Sequence, residues 1–154
     1  MASCSVSTEK VVILIKKQNC ARMVIIIPGG AVLKIQESAE NYLESILILK
    51  KRNQEVRSID IVNELGFSKP SVSVAMKHLR EDGFIQMDPK GYIELTEKGN
   101  QVASKVYERH TLITAALIDI GVSEETARED ACRVEHHISE ETFQRLKEHY
   151  LKMK

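Results

Sequence analysis

The chain has 154 residues, enough for one medium domain or two small ones sharing a core. Basic and acidic residues balance at 22 each, which excludes a chain-wide basic field, so any contact with nucleic acid has to rest on a local patch. The 43% hydrophobic content suffices for a packed core. Three scattered cysteines (Cys4, Cys20, Cys132) argue against a disulfide framework and fit a reducing cytoplasm, and no uninterrupted apolar run of about 18 residues marks a membrane span.

Residues 1–36 read as an N-terminal extension unlike the rest. VVILI (11–15) and MVIII (23–27) are short β-branched runs without helical period. They suit a hairpin or an edge strand, and equally a disordered or non-native segment. Gly29-Gly30 is encoded by GGN-GGN, which can spell a ribosome-binding sequence, and Leu33 can be a TTG codon. The natural start is therefore expected near Leu33, with the gene sequence as the test.

The spacing of Tyr42, Ile46 and Leu49 predicts a helix over 37–52, with Ser38 as a candidate N-cap and lysines at the C-terminal end. Asn41 and Glu44 sit three apart and face the same way. A short apolar helix is expected over 58–65 with Gly66 as a turn. A second follows from Ser68, a good N-cap, with Pro70 in its first turn and Gly83 ending it. Helix, glycine turn and helix at this length make a helix-turn-helix. Strand-like runs at 84–87 and 92–95 flank Asp88-Pro89-Lys90-Gly91 and supply a wing.

The local charge supports a DNA contact there. From Ser68 to Arg80 there are Lys69, Lys77 and Arg80 and no acid. Ser68, Lys69, Ser71, Ser73 and Lys77 form the expected outer face. Small hydroxyls let a helix sit deep in the major groove, and lysines meet phosphates. Arg57 before the first helix and Lys90 at the wing tip extend the patch.

Thr96 is expected to cap a long helix over 97–120. Ala103, Val106, His110, Ile113 and Leu117 share one stripe of it, which turns His110 inward. Ser123 caps the next helix, 124–138, and Ser139 a last one, 140–151. These short helices suit a bundle that pairs with a second copy. The helix 124–138 carries DACRVEHHI, in which Cys132, Glu135 and His136 fall at i, i+3 and i+4 on one face. Thiolate, carboxylate and imidazole together can hold a divalent transition metal, but one helix offers only one side of a coordination sphere. Asn41, Glu44 and His110 are the candidate partners. The fold class expected is mainly α with a small β wing. A winged helix-turn-helix spans 37–98, and a helical metal-binding and dimerisation domain spans 99–154.

A helix with YLESI, a winged helix, a long helix with an inward His110 and then EDACRVEHHISEE resemble the diphtheria-toxin-repressor and manganese-transport-regulator family over about residues 37–150. The resemblance implies a cytoplasmic homodimer, paired through 99–154. It would bind Mn²⁺ or Fe²⁺ between its two domains and repress metal-uptake genes on double-stranded operator DNA. It carries the ligand roles to Glu44, His110, Cys132, Glu135 and His136. Asn41 falls where one branch has aspartate and the other methionine, and a neutral amide is the weaker ligand. Cys132 matches the iron-sensing branch, where the manganese-sensing branch has glutamate. The chain's end at Lys154, without an SH3-like domain, matches the manganese branch. Thr114 and Arg128 stand at two positions that hold extra ligands in the iron branch, which implies one main site per subunit.

Other readings stay open on the residues alone. One is a winged-helix regulator not gated by metal. Another is a metal-buffering protein without DNA binding. A metal-dependent hydrolase would need features the sequence lacks: a Gly-rich phosphate loop, paired catalytic carboxylates with a nucleophile, or H-E-x-x-H. No enzymatic activity is expected.

Overall fold

The structure, a computed structural model, describes residues 23–26, 32–35 and 37–153. In the N-terminal segment, β1 (Met23–Ile26) pairs antiparallel with β2 (Val32–Ile35), Met23 opposite Ile35. The partner of MVII is thus VLKI; VVILI lies outside the described residues.

Helix α1 (Glu37–Arg52) begins with Glu37 and Glu40 and ends on Lys50, Lys51 and Arg52, as the helix dipole favours. It is buried on two opposite faces. Tyr42, Leu43, Ile46 and Leu49 enter the apolar core, while Glu37, Glu40, Asn41 and Glu44 form a second, polar stripe that is also buried.

Helix α2 (Ser58–Leu65) ends at Gly66, whose φ of 67° needs the left-handed region. Ile61 and Leu65 are buried, whereas Ile59 is 43% exposed. Helix α3 (Lys69–Glu81) is capped by the Ser68 hydroxyl accepting from the Ser71 N–H and has Pro70 in its first turn. It starts directly after its cap, with Lys69 and Pro70 in the first turn, as the sequence implies. Val72, Met76 and Leu79 face the core.

Strands β3 (Ile85–Met87) and β4 (Ile93–Leu95) pair antiparallel as the wing, and Arg57 bridges to Tyr92 at its base. Helix α4 (Glu97–Asp119) is capped by Thr96. Its Gly99 lies so close to the wing that a Cβ there would fall 2.0 Å from the Phe84 carbonyl oxygen. Helix α4 packs against α1 on one side and α5 (Glu124–Val134) on another, and α6 (Glu140–Lys152) docks through Phe143.

Helix α5 ends at Val134, four residues short of the predicted 138. No glycine stops it. The buried Arg109 guanidinium of α4 donates to the Glu135 carbonyl at 3.0 Å and the Ile138 carbonyl at 3.2 Å, taking over acceptors the helix end would leave open. Ser139 then caps α6. The structure is therefore mainly helical with a small wing, as the sequence implies. Among the described residues, no helix is long and apolar enough to cross a membrane.

Candidate metal centre

The polar stripe of α1, the middle of α4 and the end of α5 converge on one buried point. Glu44, His110 and Glu135 each present a donor atom, and these atoms lie within 4.8 Å of one another. His110 Nδ1 is 2.7 Å from Glu135 Oε2. His136 Nε2 lies 3.0 Å from Asn41 Oδ1 and 3.2 Å from Glu135 Oε1. Glu44 and Glu135 are fully buried, and Asn41, His110 and His136 nearly so. Cys132 is half-buried beside the core and reaches the centre through a hydrogen bond with His136.

The expectation of one helical face is thus met only in part. Glu135 stands at the C-cap of α5 with helical φ and ψ, but His136 lies in the turn beyond. The turn, held by Arg109, aims the His136 ring at α1.

Charge follows from this packing. Burial alone would lower His136, yet its hydrogen bonds with Cys132, Glu135 and Glu40 push it up to about 11. His110 behaves likewise: burial lowers it, and the Glu135 carboxylate outweighs burial and raises it. Glu135, which burial would raise, is lowered by its two histidine partners. The carboxylates therefore favour the protonated imidazoles, and a cation that takes an imidazole nitrogen as ligand competes with its proton.

The residues fit a divalent metal. Carboxylate oxygens, imidazole nitrogens and an amide oxygen suit Mn²⁺ and Fe²⁺, and the thiol adds a softer donor. His110 Nε2 is buried and has no hydrogen-bond partner among the described residues, a lone pair or proton left without a use in the protein itself.

Two residues escaped the sequence reading. Glu40, fully buried, accepts at 2.8 Å from His136 Nδ1. Its signal was present: Glu37, Glu40, Asn41 and Glu44 recur at helical spacing opposite the apolar face. Arg109, 2% exposed, had no such signal, because its partners are carbonyls 26 and 29 residues away.

The residues of the expected DNA face lie apart from this centre and are exposed: Arg57, Ser68, Lys69, Ser71, Ser73, Lys77 and Lys90. Ser68 is committed to capping α3. The Arg57 guanidinium stacks 4.3 Å from the Tyr92 ring centroid, and Lys77 lies 3.8 Å from Glu81. Val74, absent from the sequence reading, stands among them 55% exposed.

Comparison with known proteins agrees with this layout. Residues 34–93 match the family model for the N-terminal DNA-binding domain of iron-dependent repressors, and residues 96–154 match the model for their metal-binding and dimerisation domain. The chain is 40% identical over 108 residues to the transcriptional regulator MntR of Salmonella typhimurium, covering 70% of this chain and 69% of that protein. It is 32% identical over 114 residues to the iron-dependent repressor IdeR of Mycobacterium bovis, covering 73% of this chain and 50% of IdeR. Among solved structures, the manganese regulator SloR superposes with a TM-score of 0.64 at 29% identity, over 71% of this chain and 52% of SloR. The chain thus spans about half the length of IdeR and SloR. With both family models matched in order and a regulator 40% identical over two thirds of its length, the chain belongs to the iron-dependent repressor family of transcription regulators, which are not enzymes.

Proposed function

We propose that this chain is a cytoplasmic, metal-dependent repressor that binds double-stranded operator DNA as a homodimer and controls metal-ion uptake genes, with Mn²⁺ or Fe²⁺ as the effector. The division is 37–98 for DNA binding and 99–154 for metal binding and dimerisation, with 1–36 an extension; the limits of the two matched family models support it. The observation that carries the reading is the buried convergence of Glu44 and Asn41 from the DNA-binding half with His110, Glu135 and His136 from the other half.

These residues would hold the metal, with Cys132 completing the set. A bound divalent cation supplies positive charge that the carboxylates of both halves share. Glu44 and Asn41 fix α1; His110 fixes α4; Glu135 and His136 fix the end of α5. Holding all three restrains the winged helix against the dimerisation helices and so sets the spacing of two α3 helices in the dimer. That spacing favours DNA only if the metal-holding arrangement differs in stability from the others, since equal affinity shifts nothing. On α3, Ser71 and Ser73 face the groove, Ser68 and Lys69 open it, and Lys69, Lys77, Arg57 and Lys90 meet phosphates.

Oxygen and imidazole donors suit both metals, while the Cys132 thiolate favours Fe²⁺ over Mn²⁺. The deciding experiment is binding to the gene's own upstream DNA, titrated with Mn²⁺, anaerobic Fe²⁺ and Zn²⁺, for wild type and Glu135→Ala. Binding that needs metal and fails in the variant upholds the reading, and the most effective metal names the effector. Equal binding by wild type in chelator overturns it in favour of a winged-helix regulator without metal control.

A further inference from the structure

The His136 ring is held at both ends. Its Nε2 points into the centre, 3.0 Å from Asn41 Oδ1 and 3.2 Å from Glu135 Oε1. Its Nδ1 points away, to Glu40 Oε2 at 2.8 Å. A carboxylate accepts and does not donate, so Glu40 keeps a proton on Nδ1. Nε2 also faces acceptor oxygens, so a cation that takes its place among them displaces the Nε2 proton and leaves the lone pair there, while Glu40 retains the proton on Nδ1. Glu40 has no competing task in view: its second oxygen, Oε1, is buried without a hydrogen-bond partner among the described residues. A fully buried carboxylate with one contact is costly unless that contact matters.

We infer that Glu40 is a positioning residue of the metal centre, which fixes the ring and tautomer of His136 so that Nε2 is the ligand atom. This inference rests on the metal-dependent reading above. Carboxylates placed behind metal-bound histidines orient the ring and raise its basicity. Here the effect counts for more because the neighbouring donor, Asn41, is a neutral amide and lends the centre no charge. Glu40 also stands on α1, in the DNA-binding half, while His136 follows α5 in the other, so the bond itself crosses the junction that the metal is proposed to lock.

The test compares wild type, Glu40→Ala and Glu40→Gln in the full chain. Mn²⁺ affinity is read from the electron paramagnetic resonance of free Mn²⁺, and the His136 tautomer from ¹⁵N resonances of histidine-labelled, Zn²⁺-loaded protein. Expected in wild type is coordination through Nε2 with Nδ1 protonated. Glu40→Ala should weaken Mn²⁺ binding by about 10–100-fold. Glu40→Gln, whose amide oxygen still accepts from Nδ1–H, should recover most of that loss. Coordination of wild type through Nδ1 overturns the inference without recourse to any variant. So does wild-type Mn²⁺ affinity in Glu40→Ala alongside a lower melting temperature, which would make Glu40 structural. Equal loss in Glu40→Ala and Glu40→Gln, with one oxygen fewer around the metal by X-ray absorption, would make it a ligand instead. Wild type that takes up no Mn²⁺, Fe²⁺ or Zn²⁺ at all would sink the metal reading itself.

Discussion

Two histidine–carboxylate pairs of this chain have the same chemistry and opposite weight. His78 and Glu81 lie three residues apart on α3, 3.6 Å apart, with more than half of each side chain in solvent. His136 and Glu40 are 96 residues apart in sequence, 2.8 Å apart in space, and almost wholly buried. Water screens the first pair and makes it nearly worthless to stability. The second pair has no water to fall back on, so its charges depend on one another and on whatever else enters the centre. Composition does not separate the pairs; burial does.

The sharpest way to break the contrast is Glu135→Ala. Glu135 serves His110 and His136 at once, so its loss removes a carboxylate partner from each imidazole while leaving Glu40 on His136. Metal affinity should fall by more than the roughly 10–100-fold expected for an orienting residue. Equilibrium dialysis with elemental analysis measures it, and a variant that keeps wild-type affinity would remove Glu135 from the site.

Arg109→Ala comes next. It strips the carbonyls of Glu135 and Ile138 of their donor and leaves Glu140 with Lys105 alone of its two cations. Leaving buried carbonyls without their donor costs about 1–3 kcal/mol. Denaturant unfolding without metal should show it, together with weaker metal binding, since Arg109 holds the turn that aims His136. An unchanged unfolding midpoint would mean that water replaces the guanidinium.

How far the sequence reaches divides along the same line. Helices α1 and α2 run where periodicity placed them, and Ser68, Thr96, Ser123 and Ser139 cap as expected, because caps and apolar stripes are local properties; Ser38, the candidate cap of α1, instead lies inside the helix, which begins at Glu37. The end of α5 was not legible, because its stop is made by a side chain 26 residues away. The buried role of Glu40 was missed because a glutamate on a helix is ordinarily solvated. Only the second buried face of α1 makes it otherwise, and that depends on α4 and the turn after α5 closing over it.

On the exposed side, Lys69→Ala with Lys77→Ala should leave metal affinity and folding unchanged. DNA affinity should fall similarly on all sequences, and the slope of log affinity against log salt should drop by about 1 for each phosphate no longer neutralised. Footprinting or fluorescence anisotropy at several salt concentrations reads this. An unchanged slope would take these lysines off the DNA.

A smaller effect is expected from Glu140, where the surface and the interior meet. Burial would raise it, but Lys105, Gln144 and Arg109 hold it down to about 2. Its folded value is below the unfolded one, so its contribution is present above pH 4.5 and is lost as pH falls from 4.5 toward 2. Glu140 is half exposed, so screening limits that contribution to about 1 kcal/mol or less. Melting curves of wild type and Glu140→Gln should differ at neutral pH and converge in that acid window. A constant gap would assign the loss to packing instead.

The smallest effect closes the comparison. His78→Ala removes the exposed partner of Glu81, and unfolding free energy should change by no more than about 0.5 kcal/mol. Metal affinity should not change at all, since His78 lies on α3, outside the group formed by α1, α4 and the end of α5. His136→Ala in the same assays should lower metal affinity beyond the effect of Glu40→Ala, because it removes the ligand rather than its support. If His78→Ala instead matched His136→Ala in metal binding, burial would not be what distinguishes the two pairs, and the α3 surface would have to be counted as part of the centre.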